Sequence, residues 1–469
     1  MVTSKELRKL GIRPKILRRK LGPLLSQSMH KEIKIQKIDN IEVIPALSMN
    51  FNIARMVVRY KDDADKEDSL DVVVKHLKSD YPGTDFSRIK NKLHKEREDL
   101  VDYMRRLYEF VHGPINNGGG DKLLVKFYGR YNKEVIEEDA GKISLETVFR
   151  EKTPDTNLIK RLVELMAYEH SRLAVKLPTK INELYGIRRE TDFREKLHDY
   201  LNAILSYYDE RLTKSEEEVV GKFFLGIDDY LNEELNPDIQ MFIRLIHSDL
   251  HLGHVFLKYP GKNLERILKM DLQDLRKETP KIKVVDVTGY SIGPQLFDLV
   301  DSIKHPVAIN ADEFPTSTSQ RDFIEDLVEL YRGKRLEGIE DSFGAEFKNG
   351  ERELKRNINF LTFFKICNVD RDLRAMAKGI LLRSKEENKQ IYESYKKYNP
   401  KYDLYSSWYA ADLGETLRYL TTNKFEKTLK DQITQDLISK FYEIIASHIT
   451  EVEEDSIKIS RQIVNYQNS

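Results

Sequence analysis

The sequence predicts an α+β protein in which a small β-rich region precedes a larger, mainly helical one. Two patterns predict this order. Short runs of β-branched residues, separated by polar or charged turns, fill much of the segment 41–141, as strands require. From Leu158 onward, apolar residues recur at helical spacing over several segments that are long enough to form helices.

The first region is predicted to have the order β-β-β-α-β-β. Its helix is predicted over Phe86–Phe110, because Leu93, Leu100 and Leu107 fall on one helical face. The glycine-rich segment Asn116–Asp121 precedes a strand rather than a helix, so it does not qualify as a phosphate-binding loop. The strands are predicted at Ile41–Leu47, Ile53–Tyr60, Leu70–His76, Leu123–Tyr128 and Glu134–Glu138.

Helices dominate the rest of the chain, interrupted by short strands around Asp249 and Asp286. The expected domain division is a basic N-terminal extension over 1–40, a β-rich region over 41–141 and a helical region over 142–469. The helices are predicted at Leu158–Ala174, Phe193–Leu212, Lys222–Leu235, Gln320–Leu336, Glu351–Arg383, Gly414–Leu420 and Leu429–Ile463.

Composition narrows the classes of partner. The chain has 469 residues and a formal net charge of zero, so bulk electrostatics gives no support for nucleic acid as the main partner. No apolar run reaches the length of a membrane span, and the N-terminus lacks an apolar signal core. The single cysteine, Cys367, excludes a disulfide framework within one chain. We therefore expect a cytoplasmic protein without a membrane partner; composition does not indicate the oligomeric state.

The N-terminal segment 1–35 is strongly basic. It contains ten lysines and arginines against Glu6 and Glu32, and Thr3 with Glu6 forms a potential capping box for a short helix. Such an arm could contact an anionic partner. We favour the simpler interpretation, a helix that packs on the remainder of the protein with its charges in solvent.

The segment Ile246–Leu257, IHSDLHLGHVFL, is the most informative motif. It places Asp249 between two histidines, with His254 shortly after and strand-like residues on both sides. A second acid, Asp286, lies in another strand-like run, VVDV. Phosphotransferases hold a hydroxyl nucleophile beside metal-bound phosphate with acids placed in this way.

A lysine and a helical glutamate form a second constellation. Lys75 ends the strand-like run VVVK, where its charge could neutralise the phosphates of a nucleotide if a carboxylate held it in place. The candidate partners are Glu96 and Glu98. Glu96 lies at the edge of the apolar stripe of its predicted helix, whereas Glu98 points away from that stripe, so Glu96 is the preferred partner.

The segment Glu137–Gly141, EEDAG, follows a predicted strand and suits a connection between two lobes. Its backbone could pair with adenine, which makes Glu138 and Ala140 candidate nucleotide-binding residues. Taken alone, the same sequence would be an ordinary charged turn.

Together these motifs resemble the aminoglycoside phosphotransferase and choline kinase class of small-molecule kinases, which share the bilobal protein kinase-like fold. The resemblance covers about Ile41 to Ile303 and is most specific at HSDLHLGHVF, which looks similar to the maltokinase and glucosamine kinase branch. It implies ATP and a divalent metal, magnesium or manganese, as cofactors. It also implies a small-molecule acceptor, for which we expect a sugar or amino sugar.

The resemblance also implies a role for each matching residue. Asp249 matches the catalytic aspartate, and Asp298 matches an aspartate that braces the catalytic loop. His254 and Asp286 occupy the metal-ligand positions. Lys75 and Glu96 match the ion pair that orients the nucleotide phosphates.

The chain departs from the family pattern where metal and nucleotide would bind. His254 replaces an amide ligand, and imidazole suits manganese or zinc better than magnesium. The segment 48–52 that would cover the nucleotide contains no glycine, and Lys258–Lys281 is a charged insertion. These departures motivate an alternative function, a pseudokinase or nucleotide-sensing interaction protein. An atypical protein kinase is a further alternative.

Two other patterns allow different interpretations. If one helix carried His247, His251 and His254, all three would share a face and could bind zinc as a hydrolytic centre. A dense set of aromatic residues, Tyr392–Tyr409, could stack against a sugar, although such clusters more often belong to a core or an interface.

Overall fold

In the computed structural model, the chain divides into two compact units. The first unit comprises Met1–Leu145, Glu183–Ile187 and His254–Thr288; the second comprises Glu146–Asn182, Arg188–Gly253 and Gly289–Ser469. The described residues are 7–8, 11–44, 51–77, 123–131, 134–151, 156–176, 190–232, 235–236, 239, 242–258, 281–286, 291–309, 317–343, 359–384, 389, 392–393, 409, 412–417 and 419–420.

A five-stranded antiparallel sheet forms the centre of the first unit, with strand order β1-β2-β3-β5-β4. In β2 alternate side chains from Ala54 to Tyr60 lie in the core, whereas Val72–Lys75 of β3 and Glu134–Glu137 of β5 are buried without interruption. The strands are β1 (Lys34–Ile44), β2 (Phe51–Lys61), β3 (Glu67–Leu77), β4 (Phe127–Tyr131) and β5 (Glu134–Glu138).

The basic N-terminal segment forms a helix that belongs to this core. Helix α1 (Pro14–Met29) begins with proline at its first turn and buries Leu17, Leu21 and Leu25 among the apolar residues of the sheet. This agrees with the interpretation of a packed helix. The short helix predicted from Thr3 lies outside the described residues.

A second, three-stranded sheet of the first unit has the order β6-β8-β9. It consists of β6 (Ile143–Ser144), β8 (Val255–Lys258) and β9 (Lys281–Val284). Strand β8 begins directly after a 3₁₀ turn, Leu252–His254, and pairs with β9 from Val255 opposite Val284.

The second unit is mainly helical and contains one two-stranded sheet, in which β7 (Ile243–Ile246) pairs antiparallel with β10 (Ser291–Pro294). Helix α3 packs along α7, and α4 along α8. The helices that follow α1 are α2 (Leu145–Glu151), α3 (Thr156–Lys176), α4 (Phe193–Tyr207), α5 (Lys214–Leu231), α6 (Leu296–Ile309), α7 (Ser317–Phe343) and α8 (Phe360–Ser384).

The predicted fold class, α+β with a β-rich first part and a mainly helical second part, is confirmed. Among the described helices, none combines the length and the apolar character that crossing a membrane requires. Whether the chain divides at 40 and 141 stays a prediction. The helices predicted at Phe86–Phe110 and Leu429–Ile463 lie outside the described residues.

Helix boundaries differ from the predictions where capping decides them. Helix α5 begins at Lys214 rather than at Lys222, because Thr213 and Glu216 form a capping box. The Thr213 side chain accepts from the amide of Glu216, and the Glu216 side chain accepts from the amide of Thr213. Apolar spacing alone does not reveal this charged first turn.

Candidate active site

The loop that carries Asp249 begins where β7 ends, in the second unit. His247 is buried directly after the strand, and Ser248 adopts a left-handed conformation with φ of 66°. This turn brings the chain out to Asp249, whose side chain is 41% exposed. A buried support therefore presents a carboxylate at a solvent-accessible position.

Asp298, on α6, holds the backbone of this loop by hydrogen bonds. Its two carboxylate oxygens accept the amides of His247 and Ser248, at 2.7 and 2.8 Å. Burial opposes the charge of Asp298, yet the hydrogen bond and charge of His170 and the amide of His247 hold its pKa below the usual value. The family resemblance implies that Asp298 supports the catalytic loop, and its two hydrogen bonds to the loop amides are compatible with that role.

His170, on α3, contacts Asp298 in turn and connects it to the interior of the second unit. Its Nε2 lies 3.3 Å from Asp298 Oδ2, and its Nδ1 lies 2.8 Å from the hydroxyl of Tyr331. The backbone carbonyl of His170 accepts from the side chain of Gln295, and Arg335 donates to Gln295 in turn. His170 is thus a buried histidine with both ring nitrogens paired.

Ser248 is held from two directions. Its hydroxyl lies 3.0 Å from Glu190 Oε1, and Glu190 also accepts from Lys196 Nζ at 2.7 Å. The carbonyl of Ser248 accepts from Arg371 Nη2 and Arg374 Nη1, both on α8, at 3.4 and 3.3 Å. The residue that directly precedes Asp249 is therefore fixed through both its side chain and its backbone.

Charged groups on α6 and α8 surround the same loop. Arg374 Nη2 lies 3.6 Å from Asp249 Oδ1, and Arg371 Nε lies 3.3 Å from Asp301 Oδ1. Burial raises the pKa of Asp301 to about 7, although the charges of Arg371 and Arg374 act to lower it. A carboxyl poised between its two protonation states near neutral pH thus lies close to Asp249.

In the first unit, Lys75 lies on β3 and pairs with a strand residue. Its Nζ is 2.9 Å from Glu137 Oε2 on the neighbouring strand β5, and both side chains are buried. The proposed partner Glu96 lies outside the described residues. A buried lysine held by a carboxylate has the constraint expected of a phosphate-binding cation.

The segment predicted to pair with a nucleotide base follows β5. Glu138 is engaged by Lys258 Nζ at 3.1 Å and Lys283 Nζ at 3.2 Å. Burial opposes the charge of Glu138, but these lysines hold its pKa below the usual value. The amide of Glu138 donates to the carbonyl of Lys126, whereas within the described part of the chain the backbone of Ala140 makes no hydrogen bond.

His254 and Asp286 meet in the first unit. His254 Nε2 lies 3.5 Å from Asp286 Oδ2, and the carbonyl of His254 accepts the amide of Val285. Two neighbouring ligands in an octahedron with bonds of roughly 2.1 Å lie about 3 Å apart. The two side chains therefore fit a shared divalent cation, and their mixed nitrogen and oxygen donors suit manganese better than magnesium.

The conformation of the loop contradicts the condition for a zinc site built from one helix face. Strand β7 ends at Ile246, Ser248 has φ of 66°, and only Leu252–His254 form a 3₁₀ turn. Hence His247, His251 and His254 do not repeat along an α-helix. The strands on both sides of the segment extend the chain, and the left-handed serine prevents helix continuation.

Sequence reasoning missed the partners of this loop that are distant in sequence: Glu190, Arg371, Arg374 and, for Lys75, Glu137. One signal could have indicated the arginines. The stretch DRDLR lies in the middle of helix α8, which is largely buried, and buried charges need partners. Of the aromatic cluster, Tyr409 lies with its ring centroid 5.3 Å from the buried Lys304 Nζ; most of the other members lie outside the described residues.

The chain matches no protein-family model and no curated protein sequence. Solved structures to which it is similar are kinases and phosphotransferases of small molecules. An ethanolamine kinase of Plasmodium vivax is 11% identical, with 88% of this chain and 92% of that chain covered and a TM-score of 0.42. The macrolide 2′-phosphotransferase MphH of Brachybacterium faecium is 10% identical, covering 81% and 98%, with a TM-score of 0.40. A choline kinase of Cryptosporidium parvum is 10% identical, covering 78% and 88%, with a TM-score of 0.39.

Proposed function

We propose that the chain is an ATP-dependent phosphotransferase that transfers the γ-phosphoryl group to a hydroxyl of a small molecule. The observation that carries this proposal is the solvent-accessible Asp249, presented by a loop whose amides are held by the buried Asp298. Asp249 accepts the proton of the acceptor hydroxyl as the new oxygen–phosphorus bond forms. The bond to the β–γ bridging oxygen breaks, and ADP leaves.

Lys75 is the proposed cation for the nucleotide phosphates. Support comes from its buried ion pair with Glu137, which restricts the ammonium group to one position. Glu96, the helical partner expected from the family resemblance, remains a proposal. Ala140 is the proposed backbone partner of the adenine ring, and Glu138 shapes the same segment through its two lysine contacts.

His254 and Asp286 are the proposed ligands of a divalent cation, magnesium or manganese. When bound, such a cation neutralises charge on the phosphates that develops during transfer. His254 directly precedes β8 and Asp286 lies two residues after β9. The pairing of Val255 with Val284 and the hydrogen bond from the Val285 amide to the His254 carbonyl bring the two side chains together.

For the acceptor we propose a sugar or amino sugar, on the similarity of HSDLHLGHVF to the motif of maltokinase and glucosamine kinase. Because phosphoryl transfer has a loose transition state, holding this hydroxyl in line with the γ-phosphate should contribute more than base strength. Acceptor specificity therefore rests on how the second unit orients the hydroxyl beside Asp249.

One observation favours a second candidate, a pseudokinase or nucleotide-sensing protein. His254 replaces the amide oxygen that would hold magnesium, and a chain that cannot hold the metal could bind a nucleotide without transferring phosphate. An atypical protein kinase would differ in its acceptor, which would be a hydroxyl of a polypeptide side chain.

The decisive test is ADP release across a panel of acceptors, with magnesium and manganese in parallel. The panel contains sugars, amino sugars, aminoglycosides, choline-like alcohols and a generic protein substrate, and Asp249→Asn protein provides the background. Acceptor-dependent ADP release by the wild type, with a residual rate in Asp249→Asn that is lower by orders of magnitude, would support the phosphotransferase. Nucleotide-dependent melting shifts without release would favour the sensor, and the absence of both would refute the nucleotide-based proposals.

A further inference from the structure

Two arginines on α8 contact the loop that presents Asp249. Both donate to the carbonyl of Ser248, and Arg374 alone extends to the carboxylate of Asp249. All these residues belong to the second unit. Nothing in the chemistry of proton acceptance requires an arginine here, since a catalytic carboxylate needs only one oxygen directed at the hydroxyl.

The two arginines differ in how they are held. Arg371 is buried, with its guanidinium 3.3 Å from Asp301, 3.5 Å from Asp370 and 4.2 Å above the ring centroid of Phe297. These contacts account for Arg371 as a structural residue of the helical core. Its charge is retained because the burial that opposes it is outweighed by Asp301 and Asp370, which raise its pKa.

Arg374 makes a different set of direct contacts, although the charges of Asp301 and Asp370 also act on it and help to raise its pKa. Among the described residues, its hydrogen bond and ion pair both go to the catalytic loop, one to Ser248 and one to Asp249. Its side chain is 25% exposed, more than that of Arg371, so it lies at the open side of the loop. Its direct polar contacts therefore connect Arg374 to the loop that carries Asp249, rather than to the two carboxylates that hold Arg371.

The contacts of Arg374 are suited to orienting the side chain of Asp249. Its Nη1 lies 3.3 Å from the Ser248 carbonyl, which ties the guanidinium to the backbone. Its Nη2 lies 3.6 Å from Asp249 Oδ1, which is long for a hydrogen bond and within the range of an ion pair. Because the guanidinium is rigid and planar, fixing one nitrogen restricts where the other can attract the carboxylate.

We propose that Arg374 is a positioning residue for phosphoryl transfer, which selects the orientation of the Asp249 side chain through Oδ1. This inference rests on the proposed function. A half-exposed aspartate samples several side-chain rotamers, and only some of them direct an oxygen at the acceptor hydroxyl. The charge of Arg374 stabilises one of them, and misplacement of such a group by about 1 Å can cost roughly a hundredfold in rate.

The test compares Arg374→Met and Arg374→Lys with Arg332→Met, using an acceptor identified in the panel. Arg332 lies on α7, where it pairs with the exposed Glu329, and serves as the matched control. We expect Arg374→Met to lower kcat by about a hundredfold with little change in the KM for nucleotide. Arg374→Lys should recover part of the loss, because an ammonium group attracts Oδ1 but cannot also hold the carbonyl. Arg332→Met should match the wild type.

The combination with Asp249→Asn shows whether Arg374 acts through Asp249. If it does, adding Arg374→Met to Asp249→Asn lowers kcat no further, because the group that Arg374 positions is already gone. A purely structural arginine would instead lower the rate of both backgrounds by the same factor. If Arg374→Met does not fold, Arg374→Gln serves in its place, since it keeps a donor for Ser248 and loses the charge.

Two results would overturn the proposal while the phosphotransferase stands. One is a kcat of Arg374→Met that equals the Arg332→Met value; the other is multiplicative loss in the double variant. A wild-type protein that transfers phosphate to no acceptor would overturn the proposed function itself, and the role of Arg374 with it.

Discussion

At the scale of the single residue, Ser248 shows how the loop that carries Asp249 tolerates an unfavourable backbone conformation. A serine with φ of 66° costs roughly 1–2 kcal/mol relative to a right-handed conformation. The Asp298 hydrogen bond to its amide and the Glu190 contact of its hydroxyl offset this cost. Glycine is the residue for which this conformation carries no penalty.

Substitutions at Ser248 should separate the cost of its left-handed backbone from the contribution of its hydroxyl contact with Glu190. We expect Ser248→Gly to leave the free energy of unfolding within about 1 kcal/mol, because relief of strain balances the lost Glu190 contact. Ser248→Val should destabilise by roughly 1–3 kcal/mol, since a β-branched side chain disfavours a positive φ. Urea denaturation of both variants measures this. Equal stabilities would show that the turn is not held in the left-handed region.

Asp301 predicts a dependence of stability on pH. Burial raises the pKa of Asp301 to about 7 in the folded protein, against about 4 for an unfolded chain. Between these values the folded state binds a proton that the unfolded state releases, so stability falls as pH rises from about 4 to 7.

The variant Asp301→Asn should remove this contribution. We expect its Tm, relative to wild type, to rise between pH 5 and about pH 7 and to level off by pH 8. Asp322→Asn, at an exposed site on α7, is the control and should keep a constant difference. A difference for Asp301→Asn that is equally constant over this range would show that the carboxyl is ionised throughout.

At the scale of the elements, strand register decides which carboxylate reaches Lys75. In the antiparallel pair of β3 and β5, Lys75 lies opposite Val135, so Glu137, two residues further on, occupies the same face. The sequence predicted that Lys75 lies near the end of a strand, and the structure places it near the end of β3. The contact with Glu137 was not predicted, because a strand pattern does not specify which strand pairs with which, or in what register.

Breaking the Lys75–Glu137 pair should affect stability and nucleotide binding differently. Lys75→Met leaves a buried carboxylate without its cation and should destabilise by roughly 3–5 kcal/mol. Adding Glu137→Met should recover much of that loss, since two apolar side chains then pack together. Nucleotide affinity should be low in both variants. Chemical denaturation and calorimetric titration with the nucleotide measure the two effects.

The surface pair of Lys61 and Glu67 supplies the control for this experiment. Lys61, at the end of β2, is partly exposed, and Glu67, at the start of β3, is exposed; their charged atoms lie 3.5 Å apart. Lys61→Met should therefore change stability by less than about 1 kcal/mol. Recovery of nucleotide affinity in the double variant would exclude Lys75 as the phosphate-binding cation.

At the scale of the whole molecule, the sequence predicts features that depend on neighbouring residues better than features that depend on contacts between distant parts of the chain. The order of strands and helices and the loop around Asp249 depend on local patterns, and they were predicted from residues such as the VVVK run. The Arg374 contact joins positions far apart in the chain, and it depends on how α8 packs against α4 and α6. No local pattern encodes that packing; the charged stretch in α8 could have indicated that a partner exists, but not which one.

The two units also separate the candidate residues by task. Lys75, Glu138, His254 and Asp286 belong to the first unit, and Asp249 with its supports belongs to the second. If these assignments are correct, nucleotide with divalent metal should slow amide exchange chiefly in β3, β5, β8 and β9. A ligand that binds only the folded state stabilises the elements that contact it, by about 2.7 kcal/mol at a concentration a hundred times its Kd.

Hydrogen exchange with and without ligands can test this division. Nucleotide without metal should protect β3 and β5 while leaving β8 and β9 little changed, because His254 and Asp286 act only through the cation. Asp286→Asn should abolish the added effect of metal, and Asp63→Asn, in the turn between β2 and β3, should leave it intact. Protection confined to the second unit would place the nucleotide elsewhere and contradict the assignment of Lys75. Metal-dependent protection that survives in Asp286→Asn would show instead that Asp286 does not bind the cation.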